Sequence, residues 1–163
     1  NYLCETASPS VTVVEDIGEM PVFSAAEALD DLGTSKIILA GERYGMGSSR
    51  DWAAKGVALL GCRAIIARSF ERIHRTNLIG MGILPITITD TFIPQTAGIT
   101  PADRFEISVN AEQIDIQLDT VLAWKRKGER TRKIQCRIAV ETHAEVDLLR
   151  QGGVLSAILQ RKM

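Results

Sequence analysis

Cysteine is scarce, and its spacing suits neither staples nor ligands. Cys4, Cys62 and Cys136 are odd in number and far apart, which argues against both a disulfide framework and a CxxC metal site. Free thiols of this kind point to a reducing compartment, and a cytoplasmic location is the expectation. A dominant charge is absent too: 19 Lys and Arg against 20 Asp and Glu leave a net charge of −1. No overall field therefore draws the chain to nucleic acid or to a membrane surface. No apolar run approaches the length of a spanning helix, and no signal-peptide pattern is visible. Internal repeats and low-complexity stretches are also missing. What remains is 163 residues, 45% hydrophobic and 24% charged, enough for one domain with a real core. The chain opens at Asn1 in patterned sequence and reads as a piece of something longer.

The stretch from Ile37 to Gly56 organises the rest. Ile37-Ile38-Leu39-Ala40 has the composition of a buried strand. Gly41, Gly45 and Gly47 then open a loop in which backbone can approach another group closely. Ser48-Ser49-Arg50-Asp51 leads into a helix from about 49 to 60, with Ser48 as N-cap and Asp51 as the acid of its first turn. A strand, a glycine loop and a helix N-terminus together expose backbone N–H groups to an anion. Arg50 adds a planar fork suited to a carboxylate. The loop is no P-loop, because no Lys-Ser or Lys-Thr follows it, and it lacks the third glycine of a dinucleotide fingerprint. On local pattern alone it is equally an ordinary βα turn whose serines cap the helix.

Around this stretch the pattern alternates. Ser24 with Glu27 predicts a capping box for a helix over 25–32, ended by Gly33. Strands are expected at 36–40, 63–67 and 83–88, with a second helix over 69–78 between the last two. This spacing implies parallel β-α-β units, whose ligands bind beyond the carboxyl ends of the strands. Farther on, 105–109 and 114–118 alternate apolar and polar residues and read as one hairpin. The segments 121–124 and 134–140 read as a second hairpin with a basic, solvated tip at 125–130. Thr142 with Glu145 caps a helix through Arg150, and 154–160 is a last short helix. His74 reads as structural, Asp30 and Asp31 as a solvated helix end, and Trp52 and Trp124 as packing residues.

The segment from Ala40-Gly41-Glu42-Arg43-Tyr44-Gly45-Met46-Gly47-Ser48-Ser49-Arg50 to Asp51-Trp52-Ala53-Ala54-Lys55-Gly56 resembles the C-terminal swivel domain of the aconitase family. So does Ser69-Phe70-Glu71-Arg72-Ile73-His74-Arg75-Thr76-Asn77-Leu78, in order and spacing, and the ending at Gly152-Gly153-Val154-Leu155 is similar. The likeness covers about 36–163 and is strongest to the long bacterial-type aconitases and iron-regulatory proteins; isopropylmalate dehydratase small subunits usually carry a Glu-His-Ala version of the Asp-Trp-Ala block. It implies an α/β domain of three-layer, swivelling β/β/α type, with a parallel βαβαβ core and added antiparallel hairpins. It implies an iron–sulfur hydro-lyase that interconverts citrate and isocitrate through cis-aconitate. Within it, Ser48 is the base, and Ser49 and Arg50 bind substrate carboxylate. The 4Fe–4S cluster of such an enzyme is held by residues outside this chain, as is a further substrate-binding arginine, so 1–163 is one wall of a site and inactive alone. The partners implied are a tricarboxylate and the cluster-bearing domains. The alternatives are a 2-methylcitrate, 2-methylisocitrate or isopropylmalate-type dehydratase domain, or an iron-regulatory-type RNA-binding domain using Arg63, Arg68, Arg72 and Arg75.

Overall fold

The computed structural model describes all residues except Tyr2, 5–9, Ser48, Ser49 and 161–163, and describes the backbone but not the side chain of Arg50. An antiparallel hairpin of β1 (Val11–Val14) and β2 (Gly18–Pro21) runs straight into α1 (Val22–Asp31). The expected capping box is not used: the helix starts earlier, Pro21 stands at the N-cap and Ser24 lies inside the first turn. The hairpin supplies the reason, since the Ser10 carbonyl accepts from the Val22 N–H at 2.9 Å, the kind of donor a side-chain cap satisfies. At the other end the expectation holds. Gly33 adopts φ +65°, its N–H bonds to the Asp30 carbonyl, and the Thr34 N–H reaches back to Leu29, a Schellman closure. Asp30 is not merely solvated, because it pairs with the buried ammonium of Lys36.

The centre follows the βαβαβ reading. β3 (Lys36–Ala40), β4 (Cys62–Ala67) and β5 (Leu84–Ile88) are adjacent and parallel, with Ile38 opposite Ile65 and Ile66 opposite Ile86. They are joined by α2 (Arg50–Leu59) and α3 (Arg72–Gly80). α3 starts three residues later than the pattern suggests. Glu71 is its N-cap, accepting from the His74 N–H at 2.9 Å, while Phe70 is still extended and bridges Tyr44.

Beyond β5 the sheet continues antiparallel through β8 (Arg132–Ile138), β7 (Asp119–Lys125) and β6 (Arg104–Ile107), giving the order β3-β4-β5-β8-β7-β6. The β7–β8 hairpin is the one read from sequence. The first hairpin is not: β6 pairs with β7, Ile107 opposite Leu122, and residues 114–118 form no strand. Asn110 and Gln113 cap a 3₁₀ turn reciprocally, and Gln117 at φ +51° breaks any extended run. The alternation of Ile114, Ile116 and Leu118 reflects packing on Ile138, Val146 and Leu149, the last two on α4 (His143–Arg150). Thr142 caps α4 as expected, its hydroxyl accepting from the Glu145 N–H, and α5 (Val154–Gln160) follows.

Ile37 and Leu39 of edge strand β3 pack on the same cluster as Phe105 and Ile107 of the opposite edge strand β6, so the sheet curls around Ile66, Ile86, Leu122 and Trp124. On its other face Ile65 meets Ala54, Val57 and Ala58 of α2 and Leu78 of α3. The two tryptophans part company here. Trp124 is 2% exposed, stacked on Phe105 at 6.0 Å and edge-on to Phe92. Trp52 is 71% exposed, because α2 turns Ala54, Val57 and Ala58 inward, and the Lys55 ammonium lies over its ring. The expectation that Trp52 is a packing residue fails within this chain.

Candidate active site

The loop after β3 stands at the carboxyl end of the parallel strands, and its backbone is tied to the neighbouring β4–α3 connection. The Arg68 N–H donates to the Gly41 carbonyl at 3.0 Å, which continues the β3–β4 ladder past the strand ends. The Arg43 N–H donates to Ser69 Oγ at 2.8 Å, the Tyr44 N–H to the Ser69 carbonyl at 2.9 Å, and the Glu71 N–H to the Tyr44 carbonyl at 2.9 Å. Gly45 has φ +86°, and a Cβ there would overlap the His74 ring; at Gly41 it would overlap the Gln95 amide. Two of the three glycines therefore answer to close approach. Among the described residues nothing lies within 4 Å of a Cβ at Gly47.

Ser48 and Ser49, with the side chain of Arg50, lie outside the described residues. Their flanks are placed: Gly47 on one side and Asp51, the acid of the first turn of α2, on the other. The Ser48 capping expectation falls on the same undescribed residues. His74 is buried, its ring 5.4 Å from that of Tyr44, which agrees with a structural role. Burial of Tyr44, with Cys62 as a smaller contribution, raises its phenol, so the hydroxyl stays protonated.

Beside the loop a cleft of about 450 Å³ opens between α3 and the β5–β8 face, lined by Ser69, Arg72, Arg75, Thr87, Arg137 and Glu141. Its deepest cation is already engaged. Arg75, 7% exposed, holds Glu145 with both terminal nitrogens (2.8 and 3.1 Å), Glu141 at 3.1 Å and the Ala139 carbonyl at 2.9 Å. Burial alone raises the Glu145 carboxyl, but the Arg75 fork and the Glu141 N–H outweigh it and hold it below the usual carboxylate value. Sequence reading missed this pair. The signal was there: Arg75 shares the stripe of Leu78 and Ile79, and an arginine on a buried face needs an acid. Arg68 donates to the Asp90 and Phe92 carbonyls at 3.2 and 3.1 Å. Of the four arginines offered for RNA, only Arg63 and Arg72 are exposed.

At the basic hairpin tip one arginine is likewise tied down. Arg126 bonds bidentately to the fully buried Asp103 carboxylate, and Arg126 and Arg132 both lie over the Trp124 ring. Iron–sulfur chemistry finds no donor set among the described residues. Burial raises both the Cys62 and Cys136 thiols, Cys136 to about 11, whereas an iron ligand must be a thiolate. Among the described residues no group of three His, Cys, Asp or Glu side chains could hold a metal.

The family model for the aconitase C-terminal domain matches residues 2–91, which carry the glycine loop, both crossover helices and the three parallel strands. This chain belongs to the aconitase C-terminal domain family. Aconitate hydratase A of Deinococcus radiodurans is 42% identical over 85% of the chain, which spans 15% of that protein. Aconitate hydratase A of Staphylococcus epidermidis is 37% identical over 100% of the chain and 18% of its own length. Phosphinomethylmalate isomerase of Streptomyces viridochromogenes is 42% identical over 98% of the chain and 18% of its own length. Among solved structures, a 3-isopropylmalate dehydratase of Methanocaldococcus jannaschii is 24% identical, covering 88% of this chain and 80% of that one, with a TM-score of 0.48. The aconitase C-terminal domain thus spans less than a fifth of the curated relatives it matches.

Proposed function

We propose that residues 1–163 form the swivel domain of an aconitate hydratase-type hydro-lyase and supply its base and a carboxylate clamp. Ser48 removes the proton next to a substrate carboxylate during reversible dehydration, while Ser49 and Arg50 hold that carboxylate. The observation that supports this reading is the tethered glycine loop, whose described part ends at Gly47 beyond the carboxyl end of β3, with α2 beginning at Arg50. In bulk water a serine alkoxide is far too basic to persist at neutral pH. Partial positive charge at the helix start and the neighbouring guanidinium lower that cost once water is excluded. Ser49 then serves better than Ser48 as the helix cap, because one hydroxyl cannot fully act as cap and base together.

The family's 4Fe–4S cluster does not fit this chain, so its ligands are assigned to the remaining parts of a complete enzyme, and those parts are the partners against which this domain closes. The substrate is a tricarboxylate of the citrate type. A 2-methylcitrate or isopropylmalate-type acid uses the same three residues. RNA binding has less support, with Arg68 and Arg75 committed to internal partners. Among the described residues no helix is long and apolar enough to cross a membrane, and a cytoplasmic setting accords with three free cysteines.

Arg50→Lys in the full-length, cluster-loaded protein tests the clamp. A point charge does not copy a bidentate fork, so the KM for citrate rises at least tenfold while the melting temperature holds. An unchanged KM and kcat removes Arg50 from the site.

A further inference from the structure

We infer that Ser69 and His74 are positioning residues for the Ser48–Arg50 run, an inference that rests on the role proposed for that run. Neither belongs to the glycine loop, yet both shape it. Ser69 takes two consecutive loop N–H groups, Arg43 through its hydroxyl at 2.8 Å and Tyr44 through its carbonyl at 2.9 Å. Arg43 lies at φ +54°, in the left-handed region that a residue with a side chain enters only when its surroundings impose it. The hydroxyl is a direct constraint on that conformation.

His74 acts by volume. Its ring occupies the space that a Gly45 side chain would need, so the chain turns over it at φ +86° on its way to Gly47. The ring is held in turn, buried beside Tyr44, with its backbone N–H on the Glu71 carboxylate at 2.9 Å. Glu71 closes the circle, because its own N–H bonds to the Tyr44 carbonyl. The N-cap of α3 and the loop at Arg43–Gly45 thus form one bonded unit.

Ser69→Ala, with Ser69→Thr as the conservative variant, tests this in the full-length enzyme with citrate as substrate. His74→Ala is the weaker probe, since emptying a buried site costs stability by itself. A loop released at Arg43 misplaces Ser48 and Arg50 together, so Ser69→Ala lowers kcat about tenfold or more and raises KM with it, the joint change typical of positioning elements. Ser69→Thr restores both values. A purely structural role reduces the folded fraction instead, lowering apparent kcat at constant KM, and that result overturns the inference. Amide exchange in the full-length enzyme gives a second readout: the Arg43 N–H exchanges faster in Ser69→Ala than in Ser69→Thr, and equal rates contradict the tether. Ser48→Ala in the same assay separates the two claims. If Ser48→Ala abolishes turnover while Ser69→Ala keeps wild-type kcat and KM, positioning alone falls. If Ser48→Ala retains turnover, the base assignment falls and takes the positioning role with it.

Discussion

The two halves of the sheet hold their polar groups in opposite ways. In the parallel half, β3 to β5, the loop at the strand ends is fixed by backbone N–H groups, one serine and a glycine pressed on a buried ring. In the antiparallel half, β6 to β8, side-chain charge pairs and one stacked tryptophan do the fixing. Backbone anchoring leaves the side chains of a loop free for a ligand, whereas charge pairing consumes them. The basic hairpin tip, read from sequence as solvated, also braces the fold through Arg126 and Asp103. The glycine loop, held through its backbone, is where the carboxylate site is proposed.

This division is open to attack by substitution. The largest effect on the brace is expected from Trp124→Ala, which empties the site between Phe92 and Phe105 and removes the ring under Arg126 and Arg132. It should cost about 3–5 kcal/mol in urea unfolding, with KM per folded enzyme unchanged; a raised KM would dissolve the boundary between the halves. Arg75→Ala comes next, stranding the Glu145 carboxylate at 13% side-chain exposure. Removing one partner of such a pair costs about 3 kcal/mol, and a loss under 1 kcal/mol would mean that water replaces the guanidinium.

Acid provides a gentler test. The Asp103 carboxyl is lowered to about 2 by the Arg126 fork, against burial, which alone would raise it. A depressed carboxyl gives stability that is complete above its unfolded value near 4 and is lost as pH falls toward 2. The melting temperature should drop over that window in the wild-type chain and drop less in Arg126→Ala; parallel acid curves would deny the pair its role. The smallest effect belongs to Trp52→Ala. An outward ring on α2 should change stability by no more than about 0.5 kcal/mol, and a loss near that of Trp124→Ala would show that Trp52 is packed after all.

Legibility followed the range of the interactions. The three parallel strands and Gly33 were readable because a short apolar run and a helix-ending glycine act within a few residues. The Ser24 box failed because the hairpin runs straight into the helix, which starts at Val22 with its N–H on the Ser10 carbonyl. Residues 114–118 imitated a strand because packing on α4 imposes an alternation without any ladder. No local pattern tells which of two tryptophans faces inward, or that Arg75 meets acids some 70 positions away. The site divides in the same manner. The Ser48–Arg50 run is named by its sequence, while Ser69 and His74, which shape the approach to it, emerge only once β4 and α3 are folded beside the loop.

The central claim is that the loop of the parallel half carries the chemistry, and Ser48→Ala in the full-length, cluster-loaded enzyme tests it most directly, with turnover and unfolding measured on one preparation. Turnover of citrate should fall by about 10² to 10⁴, the range of a lost general base, while stability changes by less than about 1 kcal/mol, the size of a lost cap. A stability loss larger than that with only mild kinetic change would make Ser48 a cap and contradict the account.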